Sequence, residues 1–304
     1  MTQSTSQSVR RSFPHSLPSL HLPANKPPTG LLVKDVPSEM NEFFTHHYYH
    51  HGIRRFYIYD DGSSPPLSEH PTLSNWNIPE SSLNFYYIEP DSVPDGEERE
   101  YLQQHTMERC IREHGSKHHW LALLDPDEFV QMRHAEFPIL LDWLRHWEKN
   151  STVGGLAISW LPHTSANHTS IPSGGFRKNY NKCVSNAYNA REDFWLITHS
   201  KSFVRPQFVD SIPNIHIAGF NTPGMTRIGE QGDDGWPVSR EPPTHEYWGL
   251  HHYATGSREY FEMKAGKGRS QGEGKWPIDE AYWERYHGWG LHEYTCEEMT
   301  KYIP

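Results

Sequence analysis

Long apolar runs, cysteine and positive charge are all scarce in this chain. No stretch approaches the roughly 20 apolar residues that a membrane helix needs, and the first residues lack the apolar block of a secretory signal, so the sequence reads as soluble. A formal net charge of −10 excludes a general nucleic-acid binder, which needs a basic face to displace counterions from phosphates. Cys110, Cys183 and Cys296 are odd in number and show no CxxC spacing. They indicate neither a disulfide framework nor a cysteine zinc site, and each is expected as a buried thiol. Aliphatic residues are also few: the hydrophobic fraction is 35% and the mean hydropathy −0.80. Eleven Trp, 16 Tyr and 13 Phe make up the buried area instead. With 304 residues and 35.4 kDa, the composition is that of a globular enzyme with one large α/β domain or two smaller ones. Asn150-Ser-Thr and Asn167-His-Thr fit the N-glycosylation pattern, a short signal that arises often by chance.

Residues 1–29 are rich in Ser, Pro, Thr and Gln without a period and read as a flexible tail, with order beginning near Gly30. Leu31 to Val33 predicts a buried strand. Ser38 is placed to cap a helix whose Met40, Phe43, Phe44 and Tyr48 share a face and which Gly52 ends. In the run His46-His47-Tyr48-Tyr49-His50-His51, a helix points the imidazoles to several faces, as surface or packing groups. Strands follow at 55–59 and 83–88, a helix at 101–114 with Leu102, Met107, Cys110 and Ile111 inward, a strand at 120–124, a helix at 137–147 and a strand at 153–160. That order predicts an α/β fold with a mostly parallel sheet flanked by helices. The simplest division is a single domain over 30–304, with a sheet-based nucleotide half (30–160) and an irregular C-terminal acceptor half (161–304).

Ligands of such sheets sit beyond the carboxyl ends of the strands. Two acidic clusters lie at such ends, Asp60-Asp61 and Asp125/Asp127/Glu128. In Leu123-Leu-Asp-Pro-Asp-Glu-Phe-Val-Gln131 an apolar strand runs directly into three carboxylates, an arrangement that is costly unless something positive sits among them. Pro126 holds the turn between Asp125 and Asp127. Two hard oxygen ligands there suit magnesium or manganese, with positions left open for phosphate oxygens. A solvated acidic turn is the plain alternative, and an EF-hand is excluded because its glycine and distant glutamate are absent.

The surrounding order of residues is more specific than the acidic turn alone. Cys110, His114, Trp120 and Asp125-Pro-Asp-Glu-Phe129 follow His51-Gly-Ile-Arg-Arg-Phe-Tyr-Ile-Tyr-Asp-Asp-Gly-Ser63. Lys201-Ser-Phe-Val-Arg-Pro206, His216 and His252-Tyr-Ala-Thr-Gly-Ser257 with Glu259, Phe261 and Lys264 come after. Across residues 31–264 this series resembles glycosyltransferase family 92, enzymes of the GT-A type, which is Rossmann-related. There are departures: Asp35 stands where the family has Asn, and His163-Thr-Ser-Ala-Asn-His168 replaces a turn on the acceptor side, leaving the acceptor open.

The resemblance implies an inverting, metal-dependent transfer of a sugar from a nucleotide-diphosphate donor, a UDP-sugar, to a glycan or other hydroxyl acceptor. Tyr59, Asp60 and Asp61 would contact base and ribose, while Asp125 and Asp127 would hold manganese against the diphosphate, with His252 as third ligand. Lys201 and Arg205 would offset diphosphate charge. Asp233 and Asp234, in a Gly-rich segment, are candidates for the base on the acceptor hydroxyl, with Glu246 and His168 equally open. The family points to the secretory pathway and the Golgi, commonly with an N-terminal anchor that this sequence does not show. Two other functions fit parts of the sequence. A metal-dependent phosphoesterase would use the same carboxylates and histidines, and a carbohydrate-binding protein would use Trp236, Trp248, Trp276, Trp283 and Trp289, most of them expected in the core.

Overall fold

The computed structural model describes residues 26–90, 92, 101–184, 198–233, 243–267, 278–287 and 293–302. Its strands are β1 (Thr29–Val33), β2 (Phe56–Asp61), β3 (Leu83–Ile88), β4 (Leu121–Leu123), β5 (Glu128–Met132), β6 (Val153–Pro162), β7 (Lys182–Val184), β8 (Ser200–Val204), β9 (Val209–Asn214), β10 (Ile217–Phe220), β11 (Thr226–Ile228), β12 (Trp248–His252) and β13 (Glu293–Thr295). The helices are α1 (Pro37–His51), α2 (Leu102–His114), α3 (Leu140–Glu148), α4 (Phe176–Asn179), α5 (Arg258–Gly266) and α6 (Glu280–His287).

Nine strands make one sheet in the order β3-β2-β1-β4-β8-β6-β12-β5, with β11 also on β6. Neighbours run parallel except at β4–β8, β8–β6 and β12–β5. The fold is the expected mixed α/β arrangement with a mostly parallel central sheet. Strands β8, β11 and β12 lie after residue 160 yet stand inside the sheet, so the C-terminal half is less irregular than its weak periodicity suggests.

Alternation along the strands sends side chains into two cores. Leu31, Val33, Phe56, Ile58 and Ala122 face one that includes Met40, Phe43 and Phe44 of α1 and Trp143 of α3. Leu32, Tyr57, Tyr59, Leu121 and Leu123 face the other, with Leu102, Met107 and Cys110 of α2. Gly30 lets α2 approach β1, because a Cβ there would stand 2.7 Å from the Cys110 Sγ. Helix α1 ends at Gly52 as predicted, in the left-handed region with φ 70°, its N–H donating to the His47 carbonyl. Its start differs: Val36 is the N-cap and Pro37 opens the first turn, a position where a missing N–H costs nothing. The Ser38 hydroxyl instead donates to the Glu39 carboxylate at 2.5 Å. In the histidine run, His46, His47 and His51 are buried and His50 is exposed.

Strands β11 and β12 share one flank of β6, beside its first and last residues respectively. The buried Glu230 carboxylate bridges the join by accepting from the backbone N–H groups of Glu246, Tyr247 and Trp248. Cysteine usage departs from expectation: Cys110 is a buried thiol, but Cys183 and Cys296 are joined as a disulfide. Trp248 lies in the core. Trp283 packs on His287 and under Arg258, whereas Trp236, Trp276 and Trp289 lie outside the described residues.

Candidate active site

Chain direction places the acidic turn. After β1 the chain adds β2 and β3 on one side, and β4 then pairs on the other side of β1. The crevice at that reversal, beyond the carboxyl edge, is where open α/β sheets bind ligands. Residues 124–127 leave β4 there. Strand β12, parallel to β6, brings His252 to the same edge, opposite Glu128 of β5.

What offsets the carboxylates is a pair of ammonium groups. Lys201 Nζ donates to Asp125 Oδ2 at 2.7 Å and lies 3.9 Å from Glu128 Oε2, with its side chain wholly buried. Asp125 Oδ1 accepts from Gln103 Nε2 at 2.6 Å. Lys264 Nζ donates to Asp127 Oδ2 at 2.6 Å and to the Ala254 carbonyl at 3.0 Å. Glu128 accepts from the Asp125 backbone N–H and from Trp160 Nε1. His252 Nε2 lies 3.8 Å from Asp127 Oδ1, and its ring packs against Trp160.

These contacts set the charge states. Burial would raise the Asp127 carboxyl, but Lys264 and then His252 outweigh it and hold it down at about 2. Burial, reinforced by Asp125, pushes Glu128 well above the usual carboxylate range despite Lys201. Burial also keeps His252 neutral, its pKa down at about 4 despite Asp127. Burial works against both lysine cations as well, but Asp125 on Lys201 and Asp127 on Lys264 raise their pKa values nonetheless.

Asp125, Asp127, Lys201 and His252 are thus brought together. The other candidates are placed differently. Asp60 closes its own turn, accepting from the N–H groups of Ser63 and Leu67. Asp61 is buried at the same strand end. Tyr59 is buried in the α2-side core, stacked on Tyr86 at 4.9 Å. Arg205 follows the far end of β8, roughly 13 Å from Lys201 along the strand, and donates to the Val153 carbonyl. Asp233 closes a turn with Gly229. That turn neighbours the start of β12 through Glu230, while His252 is at the end of β12. Asp234 lies outside the described residues. Lys264 and Gln103 were missed as site residues, although helical spacing carries a signal for both. Lys264 follows the buried Tyr260 and Phe261 by four and three positions, and Gln103 precedes the buried Met107 and Cys110 by four and seven.

An α/β sheet with a charged, partly buried cluster at its switch point belongs among enzymes that bind their substrates at strand ends. More particularly, the sequence model of glycosyltransferase family 92 matches residues 39–232, and the chain belongs to that family. No curated protein sequence matches the chain. Among solved structures it is similar to the X-ray structure of the mannosyltransferase Ktr4p from S. cerevisiae, at 15% identity and a TM-score of 0.28. The match covers 47% of this chain and 42% of the yeast enzyme, so the chain spans less than half of that protein's length. No helix among the described residues is long and apolar enough to cross a membrane.

Proposed function

We propose that this member of glycosyltransferase family 92 is an active glycosyltransferase, which takes its sugar from a nucleotide-diphosphate donor, a UDP-sugar, bound over the carboxyl edges of β1, β2 and β4, and transfers it with inversion to a glycan hydroxyl. The observation that carries this is Asp127: a buried, ionised carboxylate at the switch point, between a neutral imidazole and an ammonium group.

The residues fit a divalent cation. Asp127 Oδ1 and His252 Nε2 are 3.8 Å apart, a hard oxygen beside a neutral imidazole nitrogen, and donors of these two types suit such an ion. His252 Nδ1 is buried with no hydrogen-bond partner among the described residues. Asp127 and His252, with Asp125, would hold manganese, and the chemistry a bound ion would supply is charge neutralisation at the diphosphate. Lys201 is too deeply buried to meet a diphosphate, and its work is to fix Asp125. Lys264, with its side chain 31% exposed, can exchange Asp127 for a phosphate oxygen. Asp233, beside the start of β12, is not given the role of base.

A screen of nucleotide sugars for donor hydrolysis and transfer, with and without manganese, tests this reading. A uridine-diphosphate sugar should be consumed by wild type with manganese and not by Asp127→Asn. Turnover of simple phosphoesters without nucleotide preference would instead establish a phosphoesterase.

A further inference from the structure

Behind β12 lies a second polar cluster that the transfer reaction does not use. His163 follows β6, Cys183 is the middle residue of β7, His251 is in β12 and Cys296 follows β13. All four are buried, and one ligand atom from each lies within 4.8 Å of the other three. We propose that, with Cys183 and Cys296 reduced, these four side chains form a closed structural zinc site distinct from the Asp125–Asp127 centre.

The argument rests on where the imidazole lone pairs point. His163 Nδ1 is 2.5 Å from the Tyr180 carbonyl oxygen, which can only accept, so Nδ1 carries the proton and Nε2 the lone pair. His251 Nε2 is 2.8 Å from Gln131 Oε1; with the carboxamide oxygen turned to the ring, Nε2 is the donor and the lone pair is on Nδ1. The two lone-pair nitrogens face each other at 2.7 Å. Neutral rings in those tautomers have no proton to share across that gap, and burial disfavours an imidazolium. A cation resolves the opposition, and the sulfurs supply its remaining ligands. Cys183 Sγ is 3.4 Å from His163 Nε2, and Cys296 Sγ is 3.9 Å from both His163 Nε2 and His251 Nδ1. Tetrahedral zinc, with bonds of about 2.3 Å to sulfur and 2.0–2.1 Å to nitrogen, sets its ligands roughly 3.3–3.8 Å apart.

The outer nitrogens already have the partners that ligating histidines take, a carbonyl and a carboxamide oxygen. Opening the Cys183–Cys296 bond takes two electrons and two protons from a dithiol reductant and yields two thiols. Zinc binding then releases both protons to solvent. Two thiolates and two neutral imidazoles leave the ion with no net charge, as a fully buried site requires. With four protein ligands and no open position the ion is structural. It would fasten the segment after β13 to the ends of β6 and β12.

The test loads reduced Asp127→Asn protein, which keeps this cluster intact, with cobalt(II) and separately with zinc. A thiolate-to-cobalt charge-transfer band with tetrahedral visible bands should appear. Zinc should bind at about one equivalent per chain and protect Cys183 and Cys296 from alkylation. Cys183→Ser should lose the band, and Gln131→Ala should weaken zinc binding by about 10–100-fold. If Cys183→Ser fails to fold, the unsubstituted cluster still decides. A folded, fully reduced protein that shows no sulfur-to-cobalt band and no protection from alkylation overturns the proposal.

Discussion

Removing the Lys201 ammonium, by Lys201→Met, tests how the acidic turn is tolerated at all. The side chain is fully buried and its Nζ is 2.7 Å from Asp125 Oδ2. Breaking a buried pair from one side costs about 3–5 kcal/mol, because the surviving charge is left uncompensated. Two features put this case at the lower end. The Asp125 side chain is 22% exposed and keeps its Gln103 hydrogen bond, and burial with Asp125 favours protonated Glu128, so that residue adds little to the loss. A loss of about 3 kcal/mol over a chain of this length corresponds to a fall in Tm of roughly 5 °C. Urea and thermal unfolding at pH 7 measure it, and the loss should change little with added salt, since a buried pair is poorly screened. The companion variant Asp125→Asn and the double variant complete a cycle. Lys201→Met should cost much less once Asp125 is already Asn. If the two single losses simply add, Lys201 and Asp125 do not stabilise each other and the account of the turn fails.

Other consequences can be checked in the same way. Asp127→Asn should keep the fold and lose manganese and nucleotide binding in calorimetry; normal binding by a folded variant would move the site elsewhere. His252→Ala should weaken manganese affinity about 10–100-fold, and unchanged affinity would remove it as a ligand. Gly30→Ala should cost about 1–3 kcal/mol by forcing a Cβ against Cys110, and adding Cys110→Ala should recover most of it; a neutral Gly30→Ala would show that α2 has room to move. Burial holds the His47 pKa at about 3 against an ordinary 6.5. The unfolded chain therefore takes up a proton that the folded one refuses. Stability from this ring is full above pH 6.5 and is lost as pH falls towards 3, by about 1.4 kcal/mol per pH unit. A folded His47→Leu variant with the same acid slope in urea titrations would contradict this.

The first half of the chain was legible because its signals are local. The periods of Met40, Phe43 and Phe44, the αL position of Gly52 and the two-residue alternation in β1 and β2 are all written within a few residues of themselves. The apolar segment leading into Asp125 announced a strand end, and the His252 segment was recognisable from its motif. What stayed hidden depends on distant partners. Lys201 reads as a cation for the diphosphate until β8 is seen to run antiparallel to β4, which turns it onto Asp125. Arg205 and Lys201 sit in one short motif, yet the same strand carries them to opposite edges of the sheet. Cys183 and Cys296 are 113 residues apart, and nothing in their local sequence announces that β7 and β13 pair. Its place at a strand end marks Tyr59 as a ligand contact, whereas alternation turns its ring into the α2-side core.

Strand β12 has a parity that its sequence cannot change. Its five residues pair with β5 on one side and with β6 on the other, so odd and even positions are committed to different chambers: His251 to the cysteines, His252 to the carboxylates. A slip of one residue would exchange the two imidazoles and spoil both places at once. Insertions in the loops around the sheet can be absorbed one residue at a time, but within β12 an odd change in length amounts to swapping the two sides of the protein.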